Sequence, residues 1–211
     1  MEILDSRLET YLTSTCDAES ALLKQIGRET HLMETMPHMI SGHYQGRVLS
    51  LLSTLVNPQS ILEIGTFTGY ATICLAEGLA ANGILHTIDN NEELHERVER
   101  YFDSSGYGAQ INYHIGAALE VIPTLNEIFD LVFIDADKKN NLNYYKMVID
   151  KVRSGGLILI DNVLWKGKVT QEENDKQTEQ IRLLNQYIAQ DKTVQKIILP
   201  IRDGLLVIRK R

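Results

Sequence analysis

Cysteine is scarce in this chain, and the two present, Cys16 and Cys74, lie far apart without metal-ligand spacing. That excludes a disulfide framework and suits a reducing compartment. Cys74 sits in an apolar helical run and reads as a small buried hydrophobe, whereas Cys16 lies near a helix boundary. The start, Met-Glu-Ile-Leu-Asp, lacks the basic-then-apolar pattern of a signal peptide. No apolar run approaches the roughly 20 residues that span a bilayer. A soluble, cytoplasmic protein with no membrane partner is expected. Positive charge is also in short supply, since 21 Lys and Arg face 28 Asp and Glu for a net charge of −7. Such a balance repels a phosphate backbone, so no nucleic-acid partner is expected. The basic clusters are Lys138-Lys139 and the final Arg209-Lys210-Arg211, the latter read as a solvated end. The six histidines show no ligand spacing, and there is no internal repeat or long linker.

What remains is ordinary globular composition, 44% hydrophobic and 23% charged over 211 residues, enough for one domain (1–211) with a substantial core. Residues 1–56 read as a helical N-terminal extension. Helical stripes run through Leu4, Leu8, Tyr11 and Leu12, then Leu22, Leu23 and Ile26, then Val48, Leu51, Leu52 and Leu55. A loop of small and polar residues, Pro37 to Gly42, precedes the third stripe, and Asn57-Pro58 ends it.

Residues 60–211 read as the sheet core. Strands are expected at Ile61–Ile64, Ile84–Ile88, Ile111–Ile115, Leu131–Ile134 and Leu157–Ile160, with a closing pair at Val194–Leu199 and Leu205–Ile208. Helices are expected at Tyr70–Ala81, Glu92–Ser104, Leu142–Val152 and Glu173–Gln190. Continuous apolar strands alternating with helices imply an α/β, doubly wound, mostly parallel sheet, with one antiparallel strand from the final hairpin.

In such sheets ligands bind beyond the C-terminal strand ends. The first strand runs into Glu63-Ile64-Gly65-Thr66-Phe67-Thr68-Gly69. The spacing is Gly-x-x-x-Gly, not the Gly-x-Gly-x-x-Gly that cradles a dinucleotide pyrophosphate. An acidic, open turn of this kind suits a sulfonium amino acid, with Glu63 supplying the acidic character. The second strand ends in Asp89, placed to accept both ribose hydroxyls, and the third leads into Gly116-Ala117-Ala118, small enough for an adenine edge to pass. Singly, Gly65 and Gly69 suffice as turn glycines and Asp89 as a helix N-cap. Together and in this order they point to a nucleoside cofactor.

The fourth strand ends in Asp135-Ala136-Asp137-Lys138 and the fifth in Asp161-Asn162. Asp135, Asp161 and Asn162 thus present oxygen ligands at neighbouring strand ends, a set that suits Mg²⁺ and leaves positions for a diol and a water. No His or Cys accompanies them, which disfavours zinc. A phenol hydroxyl on such a cation is acidified, and Lys138 is the candidate base. Asp135-Asp137 is equally compatible with a solvated turn and Lys138 with a surface lysine. Trp165 stands between an aromatic wall for a phenol and a core residue, and packing is the better reading of Tyr144-Tyr145. His38 and His43 flank the cofactor lip, with surface or hydrogen-bonded roles favoured.

These segments carry a family resemblance. Ile61–Ala71, Asp89, Val132–Lys138 and Asp161-Asn162-Val163-Leu164-Trp165-Lys166-Gly167 resemble the cation-dependent O-methyltransferases, class I enzymes that use S-adenosylmethionine. Asp-Ala-Asp-Lys and Asp-Asn-x-Leu-Trp are more similar to the caffeoyl-CoA group than to catechol O-methyltransferase. The resemblance implies a Rossmann-like, seven-stranded sheet with the last strand antiparallel, added N-terminal helices, and a homodimer. It implies a small phenolic acceptor of the catechol type and Mg²⁺ (or Ca²⁺ or Mn²⁺), with Asp135, Asp161 and Asn162 as metal ligands and Lys138 as base. By the same resemblance Ser41, Glu63, Gly65, Thr66, Ala71, Asp89, Ala118 and Asp135 match cofactor positions, while Asp135 and Asp137 match acceptor positions; Trp165 and Lys166 lie beside them. Ala71 replaces a frequent Ser, Lys166 replaces the Asn of the plant enzymes, and residues 1–30 hold no clear acyl-CoA-binding segment. Residues 166–180 fall on a variable acceptor loop. A nucleotide-dependent oxidoreductase and a non-catalytic cofactor-binding protein on the same fold are the competing readings.

Overall fold

The computed structural model describes residues 6–172 and 175–211. Its sheet has strands β1 (Ser60–Ile64), β2 (Ile84–Asp89), β3 (Ile111–Ile115), β4 (Phe129–Ile134), β5 (Val152–Ile160), β6 (Val194–Leu199) and β7 (Leu205–Lys210). The order is β3-β2-β1-β4-β5-β7-β6. Strands β1 to β5 pair in parallel, and β7 runs antiparallel to both β5 and β6. The sheet is thus mixed, with six strands parallel and the last one reversed.

Alternate residues of the central strands feed two cores. Ile61, Leu131, Phe133 and Leu159 face helices α2 (Ala21–Met33), α3 (Gly42–Val56), α4 (Tyr70–Ala76) and α5 (His95–Ser104). Leu62, Ile64, Val132, Ile134 and Ile158 face α6 (Ala118–Val121), α7 (Asn141–Val148) and α8 (Lys176–Gln190). Burial on both faces explains why these strands are apolar at most positions. Among the described residues no helix is long and apolar enough to cross a membrane.

Several expected boundaries move. The helix expected over Tyr70–Ala81 stops at Ala76, because the chain turns at Gly78, where a Cβ would lie 2.2 Å from the Thr54 backbone nitrogen. The helix expected from Glu92 opens as a 3-10 turn, Glu92–Leu94, before α5 begins. Leu142–Val152 divides into α7, a 3-10 turn and the first residue of β5, so Val152 is strand. Strand β5 starts five positions before the expected Leu157 because Gly155 and Gly156 interrupt its apolar pattern without ending its pairing. Its N-terminal half pairs irregularly with β4, with a register shift between Phe129 and Leu131. Helix α8 begins at Lys176, with Asp175 accepting the Thr178 N–H as N-cap; the expected start at Glu173 lies outside the described residues, as does Leu4.

Helix α1 (Ser6–Thr15) and α3 differ more from expectation. Leu8 and Tyr11 are exposed, and so are Leu51 and Leu55 on α3, while α3 buries Gln45, Gly46, Leu49 and Ser53 instead. The terminal basic residues are not simply solvated, since Lys210 belongs to β7 and its Nζ donates to the carbonyls of Ile149 and Val152. Cys74 is fully buried and both cysteines are free, as expected. Tyr144 and Tyr145 are buried by packing, as expected.

Candidate active site

Chain order reverses across β1 and β4, the switch point where a doubly wound sheet opens a crevice. A cleft of about 1120 Å³ lies there. The Gly65 N–H donates to the Ile88 carbonyl, and the Asp135 N–H donates to the Ile64 carbonyl, so the ends of β1, β2 and β4 are drawn together. Gly65 has φ 103, and a Cβ on it would meet the Asp135 carbonyl oxygen at 2.2 Å. Only glycine satisfies both conditions.

Asp89 organises this turn. One of its carboxylate oxygens accepts the N–H groups of Thr66 (3.0 Å) and Phe67 (2.7 Å), and the other accepts that of Asn91 (2.9 Å). The turn amides that a pyrophosphate would need are therefore taken by a carboxylate. Glu63 is fully buried behind the turn rather than lining the cleft. Its Oε2 accepts hydrogen bonds from the Thr72 and Thr87 hydroxyls, and its Oε1 has no partner. Burial pushes this carboxyl up to about 8, against the opposing pull of the two hydroxyls.

Ser41, Gly65, Thr66, Ala71, Asp89 and Ala118 line the cleft, and so do Asp135, Asp137, Lys138, Asp161, Asn162, Trp165 and Lys166. Every expected site residue except Glu63 thus opens on one cavity. Asp161 is buried, and burial together with the neighbouring Asp135 raises its carboxyl to about 6. The Lys138 Nζ lies 2.9 Å from Asp135 Oδ1. Two crowded carboxylates with one lysine remain short of positive charge, and the donors are all oxygen, so the set fits a hard divalent cation. Among the described residues there is no group of three His, Cys, Asp or Glu able to hold a metal, and Asn162, which carries an amide oxygen, lines the same cleft. Asn162, Trp165 and Lys166 all have positive φ, with values of 61, 49 and 52. Such strain in non-glycine residues gathers at functional sites.

Sequence reasoning passed over Gln45 and Arg202 in this region, and it read Tyr144 as packing and Asp203 as part of the turn between the closing strands. The buried Gln45 donates from Nε2 to Asp161 Oδ2 at 2.7 Å. The Tyr144 hydroxyl donates to Asp137 at 2.6 Å. Arg202 and Asp203 line the cleft from the β6–β7 turn. The sequence signal there is the Asp203-Gly204 pair between the two closing strands, which marks a hairpin turn and says nothing of the cleft. His43 is tied to the Asp17 carbonyl, and His38 borders the cleft.

A glycine turn without a pyrophosphate seat, beside a strand-end carboxylate at the switch point, defines a Rossmann-like nucleoside-cofactor enzyme. Comparison with known proteins names the class. A family profile described as O-methyltransferase matches residues 13–211. The caffeoyl-CoA O-methyltransferase of Petroselinum crispum is 33% identical, over 94% of this chain and 87% of that one. The O-methyltransferase TomG of Streptomyces achromogenes, involved in tomaymycin synthesis and solved with S-adenosylmethionine, superposes with a TM-score of 0.89. It is 28% identical and is matched over 97% of this chain and 96% of that one. An O-methyltransferase from Bacillus cereus, solved with S-adenosylhomocysteine, gives 0.89 at 27% identity, over 97% of each chain. The chain belongs to the O-methyltransferase family, and the enzyme is an S-adenosylmethionine-dependent O-methyltransferase.

Proposed function

We propose that the enzyme methylates one hydroxyl of a small vicinal dihydroxyphenyl compound, with a divalent cation (Mg²⁺, or Ca²⁺ or Mn²⁺) held by Asp135, Asp161 and Asn162. The observation that carries this reading is the buried Asp161 beside the half-buried Asp135, whose Oδ1 lies 2.9 Å from Lys138 Nζ, on the same cleft as the Gly65–Gly69 turn. S-adenosylmethionine would supply the electrophilic methyl group, and Ser41, Gly65, Thr66, Ala71, Asp89 and Ala118 are the residues that would hold it. A divalent cation in the acidic pocket would lower the pKa of a phenol hydroxyl that it coordinates. As the neutral amine, the form that a cation bound beside it would favour, Lys138 would accept the hydroxyl proton. Asp137, Trp165 and Lys166 border the acceptor. Orientation and charge complementarity supply most of the rate enhancement. The caffeoyl-CoA relatives support a phenolic acceptor, and the resemblance supports a homodimer. The oxidoreductase alternative loses its basis, because Asp89 occupies the amides that a dinucleotide would need.

The test is turnover of S-adenosylmethionine with a panel of catechols, hydroxycinnamates and their CoA esters, with and without EDTA, alongside Lys138→Ala. Chelation abolishes turnover, and Lys138→Ala lowers kcat by roughly 10²- to 10⁴-fold, the usual contribution of a positioned base. Turnover indifferent to EDTA overturns the metal role, and an unchanged rate in the variant removes Lys138 as base.

A further inference from the structure

The turn between β6 and β7 lies outside both the cofactor turn and the acidic set, yet it grips both walls of the cleft. On one side the Arg202 guanidinium gathers acceptors from the segment that leads into α3. Its Nη1 donates to the carbonyls of Ile40 and Ser41, each at 2.7 Å, and more distantly to Gln45 Oε1 at 3.4 Å. Its Nη2 donates to the His38 carbonyl at 3.0 Å. On the other side the Asp203 carboxylate accepts the Lys166 N–H, and its carbonyl accepts the Leu164 N–H at 2.9 Å. The Gly204 carbonyl accepts the Val163 N–H at 3.1 Å. The turn therefore ties the 38–41 lip to the segment that follows Asp161 and Asn162.

Two further observations single out Arg202. It sits at φ 48, a conformation that strains any residue carrying a Cβ. The lip it holds has no sheet or helix of its own beyond one 3-10 turn, Pro37–Met39, and it meets α3 at Gly42 with φ 73. A short segment between two helices, ending on a left-handed glycine, is held in place by its few fixed contacts. Three of its carbonyls converge on one guanidinium, whose planar fork reaches several acceptors at once where an ammonium is a point donor. Gln45 extends the contact inward: it meets Arg202 through Oε1 and Asp161 through Nε2.

We propose that Arg202 is a positioning residue, a brace that fixes the His38–Ser41 lip in its cofactor-binding position and, through Gln45, ties that lip to Asp161. Its effect is pre-organisation: the lip is ordered before the cofactor arrives, so binding does not have to order it. The proposal rests on reading this cleft as the cofactor site, which binding of S-adenosylhomocysteine to the parent enzyme tests separately.

Arg202→Gly is the discriminating substitution, since glycine accepts φ 48 without strain while the guanidinium is lost. Calorimetric S-adenosylhomocysteine binding and thermal unfolding are measured on the parent, Arg202→Gly and Arg202→Lys. The expected result is an unfolding temperature near the parent's, with affinity weakened roughly tenfold in the glycine variant and only partly restored by lysine. The KM for S-adenosylmethionine rises by a similar factor, with kcat changing less. Parent-like affinity in Arg202→Gly overturns the brace. Should the glycine variant fail to fold, full affinity in Arg202→Lys overturns it equally, and partial affinity supports it.

Discussion

Glu63 shows how one side chain can belong to a site without touching the open cleft. It carries a carboxyl raised from 4.5 to about 8 by complete burial, held between the Thr72 and Thr87 hydroxyls. A carboxyl whose folded pKa exceeds its unfolded value favours the folded state fully below the unfolded value, near 4.5. That contribution fades as the pH rises and is gone once it passes the folded value of about 8. Glu63→Gln keeps the shape and lets both threonine hydroxyls reorient, but it cannot ionise. The unfolding temperature of the parent should therefore fall relative to Glu63→Gln as pH is raised from 5 to about 8.5. Differential scanning calorimetry of both proteins across that range checks this. Parallel curves would mean that Glu63 ionises in the fold without cost.

At the scale of elements, legibility followed the reach of the interactions. The central strands were readable because burial on both faces leaves mostly apolar runs, such as Leu131–Ile134 and Leu157–Ile160. The polar residues that end those runs, Asp89, Asp135 and Asp161, were readable for the same reason. Helix α3 was not. Its stripe of Val48, Leu51, Leu52 and Leu55 suggested the inward face, yet Leu51 and Leu55 are exposed while Gln45, Gly46 and Ser53 are buried. The reason is that α3 packs on α4 through small and polar groups. Ser53 donates to the Leu75 carbonyl, and Arg47 pairs with Glu77. Gln45 and Arg202 were invisible for a related reason, because their partners lie more than a hundred residues away. Gly46 is the contact most sensitive to volume: a Cβ there would lie 2.7 Å from Tyr70 Cε1 and 2.9 Å from Cys74 Sγ. In Gly46→Ala a helix-propensity gain of about 1 kcal/mol opposes an overpacking cost of about 1–3 kcal/mol. Since Tyr70 and Cys74 are buried and have little room to retreat, the cost prevails. Urea unfolding should show Gly46→Ala less stable by about 1 kcal/mol, and a more stable variant would show that α3 and α4 can part without penalty.

The whole molecule inherits the consequence of that helix interface. With α3 turned so that Gln45 reaches Asp161, its leucines Leu51 and Leu55 are 59% and 73% exposed. Helix α1 packs near α3 and exposes Leu8 and Tyr11. Scattered surface leucines are normal, but two apolar stripes on neighbouring helices form a candidate contact area. A second copy of the same chain meeting this face about a two-fold axis would form the proposed homodimer here, and each substitution would then act twice. Leu51→Asp with Leu55→Asp would place four carboxylates in such an interface, and desolvating unpaired charges costs far more than the contact gains. The parent should run at twice the chain mass of 23.9 kDa in light scattering after gel filtration, and the double variant at the single mass. Its S-adenosylhomocysteine affinity should stay within about threefold of the parent's, because a 1.4 kcal/mol change is needed for tenfold and these side chains do not line the cleft. A double variant that remains dimeric would move the interface to another face, and a monomeric parent would remove the homodimer altogether.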